Sequence, residues 1–93
     1  MSGEIRSVVE TAARILREAG AREVYLFGSA ARGEQAEDSD IDLAVRGIPP
    51  KVFYEAIGRV AATISDRFDV VDLDVGGPFV DYLQRKGVLV RVA

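Results

Sequence analysis

Glycine and proline residues divide this 93-residue chain into short segments, and the spacing of apolar residues changes from one segment to the next. Helical spacing predicts helices, whereas short runs of strand formers, some with apolar residues at every second position, predict strands. The predicted helices cover residues 4–19, 50 to about 66, and 78–86, and the predicted strands cover residues 24–27, 40–45, 68–75 and 88–92. This order predicts one α/β (α+β) domain over residues 1–93, a mixed sheet of about four strands with helices packed against it.

Composition narrows the chemistry that such a domain could support. The chain has no cysteine and no histidine, so disulfides and the usual zinc ligands are excluded, and a bound metal would need oxygen ligands. Its net charge of -3 disfavours a nucleic-acid surface, and a nucleotide fits better as a ligand. The N-terminal residues lack the apolar run of a signal peptide, so we expect a cytoplasmic protein.

Two carboxylates lie on one face of a predicted strand. Asp40 and Asp42 alternate with Ile41 and Leu43, and alternate strand residues point the same way, roughly 6.5 to 7 Å apart along the backbone. Such a pair can converge on a cation, because two like charges this close repel each other unless a positive charge lies between them. A pair of this kind taken alone is more often the solvent face of a strand.

A turn that could bind phosphate precedes these carboxylates. Gly28 and Ser29 follow an apolar strand at the start of a helical turn, where free backbone N–H groups can bind an anion. Glycine allows close backbone approach, the hydroxyl of Ser29 adds a donor, and Arg32 could reach the same phosphate oxygens. The turn is not a P-loop, because the second glycine and the lysine of that motif are absent. An ordinary capped turn is the alternative.

A third acidic group lies on the later strand, at Asp69, Asp72 and Asp74. Sites that hold two metal ions need such an additional carboxylate, because shared carboxylates bridge cations about 3.5 to 4 Å apart. A phosphate-type turn, a carboxylate pair and a later acidic strand are each weak signals. Together they favour a two-metal site that acts on a triphosphate.

The motif itself resembles a known family. Gly28-Ser29, followed by Ala31-Arg32-Gly33 and then Ser39-Asp40-Ile41-Asp42-Leu43, is similar to the signature of the minimal nucleotidyltransferases of the polymerase-β superfamily. The resemblance implies a polymerase-β-like fold, Mg²⁺ held as two ions by Asp40, Asp42 and an acidic residue of the later strand, and ATP as substrate. It also implies that Gly28 and Ser29, with Arg32 nearby, bind the triphosphate.

The third carboxylate is ambiguous in this sequence. The family usually has one aspartate between apolar neighbours, a pattern that Val71-Asp72-Leu73 reproduces. We therefore assign Asp72 as the third metal ligand and catalytic carboxylate, with Asp74 as the alternative. Asp69 is interpreted as a solvated residue at the start of the strand.

Chains of this size and pattern resemble the antitoxins of MNT–HEPN toxin–antitoxin modules. The resemblance implies transfer of AMP from ATP to an acceptor hydroxyl, a tyrosine of a small helical HEPN-domain partner. The alternative is a binding module that masks its HEPN ribonuclease partner without catalysis. An enzyme that modifies aminoglycosides shares the chemistry but normally needs additional chain to bind its acceptor. The sequence is compatible with a homo-oligomer and disfavours a membrane or nucleic acid as a direct partner.

Overall fold

The computed structural model describes residues 3–32 and 40–93, with side chains at all of these positions except 3, 29 and 30. Hydrophobic spacing and the glycine and proline breaks place the elements close to the predicted positions. In chain order the elements are α1 (Gly3–Glu18), β1 (Glu23–Phe27), α2 (Gly28–Ala31), β2 (Ile41–Arg46), α3 (Pro50–Thr63), β3 (Phe68–Asp72), α4 (Pro78–Arg85) and β4 (Val90–Arg91).

The strands of this part of the chain form one mixed sheet in the order β3-β2-β1-β4. β1 is antiparallel to both β2 and β4, whereas β2 and β3 are parallel. A parallel pair needs a long crossover connection, and α3 provides it between β2 and β3. The predicted mixed sheet with packed helices is therefore confirmed.

Helices cover the two faces of the sheet unequally. α1 and α3 cover one face, where Leu16 and Val60 pack against alternate strand residues such as Leu26 and Leu43 in the main core. On the other face α4 buries the second, smaller cluster: Phe27, Ala44, Leu73, Val80 and Leu83. Because side chains alternate along a strand, the neighbours of Ile41 and Leu43 on β2 point toward the α4 face.

Two elements, α3 and β3, end about three residues earlier than the sequence predicts. α3 ends at Thr63, three residues before the predicted end, where Ile64 takes extended dihedral angles and its N–H still bonds to Val60. The hydroxyl of Thr63 also donates to the Arg59 carbonyl at 2.8 Å. β3 ends at Asp72 because its carboxylate accepts the N–H of Asp74 at 2.9 Å and turns the chain.

Within residues 3–32 and 40–93, each helix is too short or too polar to cross a lipid bilayer. The fold places the acidic residues Asp40, Asp42 and Asp69 at one end of the sheet. That end is where β1 finishes and where the parallel strands β2 and β3 begin.

Candidate functional site

The end of β1 brings the predicted phosphate turn beside the carboxylate pair. Phe27, the last residue of β1, pairs with Asp42 of β2, so α2 begins next to the Asp42 side chain. The antiparallel register of two neighbouring strands, and not a flexible loop, therefore brings Gly28 and Asp42 together.

Gly28 cannot carry a side chain without displacing Asp42. Its φ of +73° lies in the left-handed region that favours glycine, and an added Cβ would lie 2.3 Å from Asp42 Oδ2. The sequence predicted a glycine that allows approach of a ligand. The structure adds a second reason for glycine, namely that the carboxylate of Asp42 packs directly against the turn.

The parallel register places Asp69 of β3 directly beside Asp42. Burial raises the pKa of Asp42, and the negative charges of Asp69 and then Asp40 raise it further. Asp69 is exposed, and its Oδ1 accepts the Val70 N–H at 3.0 Å. The acidic residue that β3 contributes to this end of the sheet is therefore Asp69.

The placement expected for Asp72 is wrong. Asp72 pairs with Val45, three residues beyond Asp42, and an odd offset turns its side chain to the opposite face of the sheet. Asp74 also lies elsewhere, because its carboxylate accepts the Gly47 N–H at 2.7 Å and lies 3.6 Å from Arg46. Choosing by apolar neighbours did not select Asp69, the residue that pairs with Asp42. The available signal was its position, since Asp42 and Asp69 are each the second residue of their strands.

Asp40 lies at the same end of the sheet, in an ion pair with Arg67. The distance between Arg67 Nε and Asp40 Oδ1 is 3.2 Å. Among the residues that the structure describes, no three carboxylates are close enough to form a metal site as they stand. The acidic residues are thus brought to one corner, with the Asp40 carboxylate turned to Arg67.

The remaining motif residues are described only in part. Arg32 is exposed and follows α2, and its N–H bonds to the Gly28 carbonyl at 3.3 Å. A cleft of about 260 Å³ lies beside the turn, lined by Gly28, Ala31, Arg32, Gly87, Val88 and Val90. The Ser29 side chain, Gly33 and Ser39 lie outside the described part of the structure, as does the loop predicted over residues 34–39.

An apolar groove of about 470 Å³ runs along the outer edge of β3, between α3 and α4. Three large apolar side chains in it are exposed: Tyr54 at 81%, Val75 at 78%, and Phe79. Asp72 is the charged residue among its lining residues. Exposed apolar groups gathered in one place are typical of a surface that contacts another molecule. We call this feature the β3 groove.

Comparison with known proteins identifies relatives of this chain. A family model described as polymerase beta, nucleotidyltransferase, matches residues 10–91. The protein adenylyltransferase MntA of Thermococcus cleftensis is 49% identical over 72 residues, which make up 73% of this chain and 73% of the relative.

Solved structures share the fold. A toxin–antitoxin complex crystallised with AMP-PNP matches with a TM-score of 0.66 and 27% identity, over 85% of this chain and 67% of that chain. A structure described as a minimal nucleotidyltransferase matches with a TM-score of 0.70 and 26% identity, over 97% of this chain and 92% of the other. The family match over most of the sequence and the identity to MntA lead to one conclusion: this chain belongs to the polymerase-β nucleotidyltransferase family.

Proposed function

We propose that this protein transfers AMP from ATP to an acceptor hydroxyl in a Mg²⁺-dependent reaction, in which the acceptor oxygen bonds to the α-phosphorus and pyrophosphate leaves. The observation that carries the proposal is the pairing of Asp42 with Asp69 across the parallel strands, with Gly28 packed against Asp42. That arrangement sets two carboxylates beside a turn suited to phosphate, which is the combination that nucleotidyl transfer from a triphosphate needs.

The residues at this corner fit Mg²⁺. Asp40, Asp42 and Asp69 supply carboxylate oxygens, the ligands that Mg²⁺ prefers. The raised pKa of Asp42 reflects burial and two negative neighbours, and a bound cation would relieve that repulsion. We therefore assign these three residues as the candidate ligands.

When bound, Mg²⁺ would neutralise charge on the triphosphate and lower the pKa of the attacking hydroxyl. The protein's own residues have other tasks. Asp42, half-buried between β1 and β3, would hold its carboxylate in one orientation, because the strand register fixes its backbone. Gly28 would keep the space that this carboxylate needs, and the backbone of the turn with Ser29 and Arg32 would bind the phosphates.

The acceptor that we propose is a tyrosine hydroxyl of a HEPN-type partner, with this chain acting as the antitoxin. Support comes from the relatives: one is named a protein adenylyltransferase, and another was crystallised as a toxin–antitoxin complex with a nucleotide analogue. ATP is proposed as the substrate on the same grounds. Intact carboxylates beside the turn favour catalysis over contact alone.

A second candidate function, neutralising a partner by contact, is favoured by the β3 groove. Replacing Tyr54 and Val75 together by serine should change the free energy of unfolding by no more than about 0.5 kcal/mol for each substitution, because both side chains are exposed. If the groove binds the partner, this double variant should lose affinity for a HEPN-domain protein but keep ATP affinity. Unchanged partner affinity in a pull-down and in calorimetry would exclude the groove as the contact surface.

The test of catalysis is direct. The protein, a HEPN-domain protein, ATP labelled on the α-phosphate and Mg²⁺ are incubated together, and label on the partner is measured. Asp42→Asn should abolish labelling, and Asp74→Asn serves as the control, since it alters a carboxylate near the other end of β2, beside Arg46 and Gly47. Label that does not depend on Mg²⁺ or on Asp42 would refute the proposed reaction.

A further inference from the structure

Arg67 is placed against the acidic corner by the backbone as well as by its side chain. Its carbonyl accepts the Ile41 N–H at 2.9 Å, at the point where β2 begins. Its guanidinium then reaches Asp40 with an Nε–Oδ1 distance of 3.2 Å. The residue that holds Asp40 is thus itself held next to the strand that carries Asp42.

Arg67 lies beside a group of carboxylates. The two charges that shift the pKa of Asp42 both belong to carboxylates, those of Asp69 and Asp40. A guanidinium beside Asp40 offsets part of this repulsion when no cation is bound. The Arg67 guanidinium also holds the Asp40 carboxylate in an ion pair. Among the described residues, no three possible metal ligands are close enough together to hold an ion.

A divalent cation and Arg67 would compete for the same carboxylate. Mg²⁺ binds oxygen at about 2.0 to 2.1 Å in nearly ideal octahedral geometry, and a cation that close to Asp40 would repel the guanidinium. We propose that Arg67 is an electrostatic latch that occupies Asp40 in the metal-free protein and releases it when a divalent cation binds. This inference rests on the proposed function for the cation site and adds a residue that sets its cation affinity.

The effect should be modest because the pair is exposed. The side chains of Arg67 and Asp40 are 68% and 53% exposed, and exposed ion pairs contribute little in water. Removing the latch should therefore tighten cation binding by about two- to fivefold. The contribution should shrink in high salt, which screens exposed charges.

The full chain is titrated with Mn²⁺ alone, and free Mn²⁺ is followed by electron paramagnetic resonance. Arg67→Gln should bind Mn²⁺ about two- to fivefold more tightly than the parent, and Arg67→Lys, which keeps the charge, should lie closer to the parent. Arg59→Gln is the matched control. It removes the same charge and a similar exposed ion pair, to Glu18 at 3.3 Å, on a different surface. Its Mn²⁺ affinity should equal that of the parent.

The outcomes separate the latch from the proposed function. If Arg67→Gln binds Mn²⁺ no more tightly than the parent, or only as much more tightly as Arg59→Gln does, the latch is refuted. The proposed cation site still stands in that case, provided that Asp42→Asn abolishes binding. If Asp42→Asn binds Mn²⁺ as the parent does, or if the parent binds none, the cation site fails and the latch fails with it.

Discussion

Replacing Gly28 by alanine should damage the site more than the fold. Gly28 has a φ of +73°, and a residue with a Cβ in the left-handed region costs roughly 1 to 2 kcal/mol. The new Cβ would also lie 2.3 Å from Asp42 Oδ2, about 1 Å inside ordinary van der Waals contact. The Asp42 carboxylate must therefore move, since the register fixes the backbone on both sides.

The two effects can be measured separately. Urea unfolding should show a loss of about 1 to 2 kcal/mol from the backbone conformation. A displacement of 1 Å at a reacting centre can lower a rate on the order of 100-fold, so AMP transfer should fall by about that factor. Mn²⁺ affinity should fall as well, because the displaced carboxylate is a candidate ligand.

Gly76→Ala is the matched control. Gly76 has a φ of +77°, and nothing lies within 4 Å of the position that its Cβ would take. The Gly76→Ala variant should therefore lose about as much stability as Gly28→Ala, and it should keep both AMP transfer and Mn²⁺ affinity. If the Gly28 and Gly76 variants lose stability equally and Gly28→Ala retains full transfer, the contact between Gly28 and Asp42 has no role in the site.

Two further predictions concern the carboxylates. The pKa of Asp42 is raised in the folded protein, first by burial. The contribution of this group to stability is therefore fully present at pH values below the ordinary aspartate pKa, and it is lost as the pH rises through the raised pKa. Asp42→Asn should accordingly stabilise the metal-free protein at pH 7 but not at pH 3, as urea unfolding at both values would show. Asp69→Asn should weaken Mn²⁺ binding by more than the roughly 10- to 100-fold that an outer-shell change costs a metal site. Asp72→Asn should bind Mn²⁺ like the parent. A larger loss of Mn²⁺ affinity in Asp72→Asn than in Asp69→Asn would contradict the assignment of Asp69 from the pairing of β2 with β3.

Local chemistry predicted most of the fold. Gly28, Pro50 and the break at residues 76–78 mark true boundaries, because the backbone conformations available to glycine and proline decide where elements begin. The alternation of polar and apolar residues also correctly placed Asp42 on a different face from Ile41 and Leu43. The direction of each side chain follows from its position within one strand and needs no knowledge of the neighbouring strands.

The residue of β3 that lies beside Asp42 could not be found from one segment alone, because its position depends on two strands. Asp72 has the apolar neighbours that a local pattern favours, yet the residue beside Asp42 is set by how β3 aligns with β2. The contact between Gly28 and Asp42 is likewise a property of packing between β1 and β2. The ion pair of Asp40 with Arg67 joins residues on either side of the connection through α3. A pattern within one segment of the sequence cannot predict such a contact.

The carboxylates of β3 also affect how the protein behaves at high concentration. β3 is an outer strand of the sheet, and an uncovered strand edge is a template on which another molecule can add a strand and begin aggregation. Asp69 blocks part of this edge, because its carboxylate accepts the Val70 N–H, and Asp72 adds a second negative charge two residues from Val70. An apolar substitution at Asp69 would remove the charge and leave the Val70 N–H without this acceptor. Precipitation of such a variant could be mistaken for a loss of activity. The acidity of this strand thus protects the monodispersity of the protein.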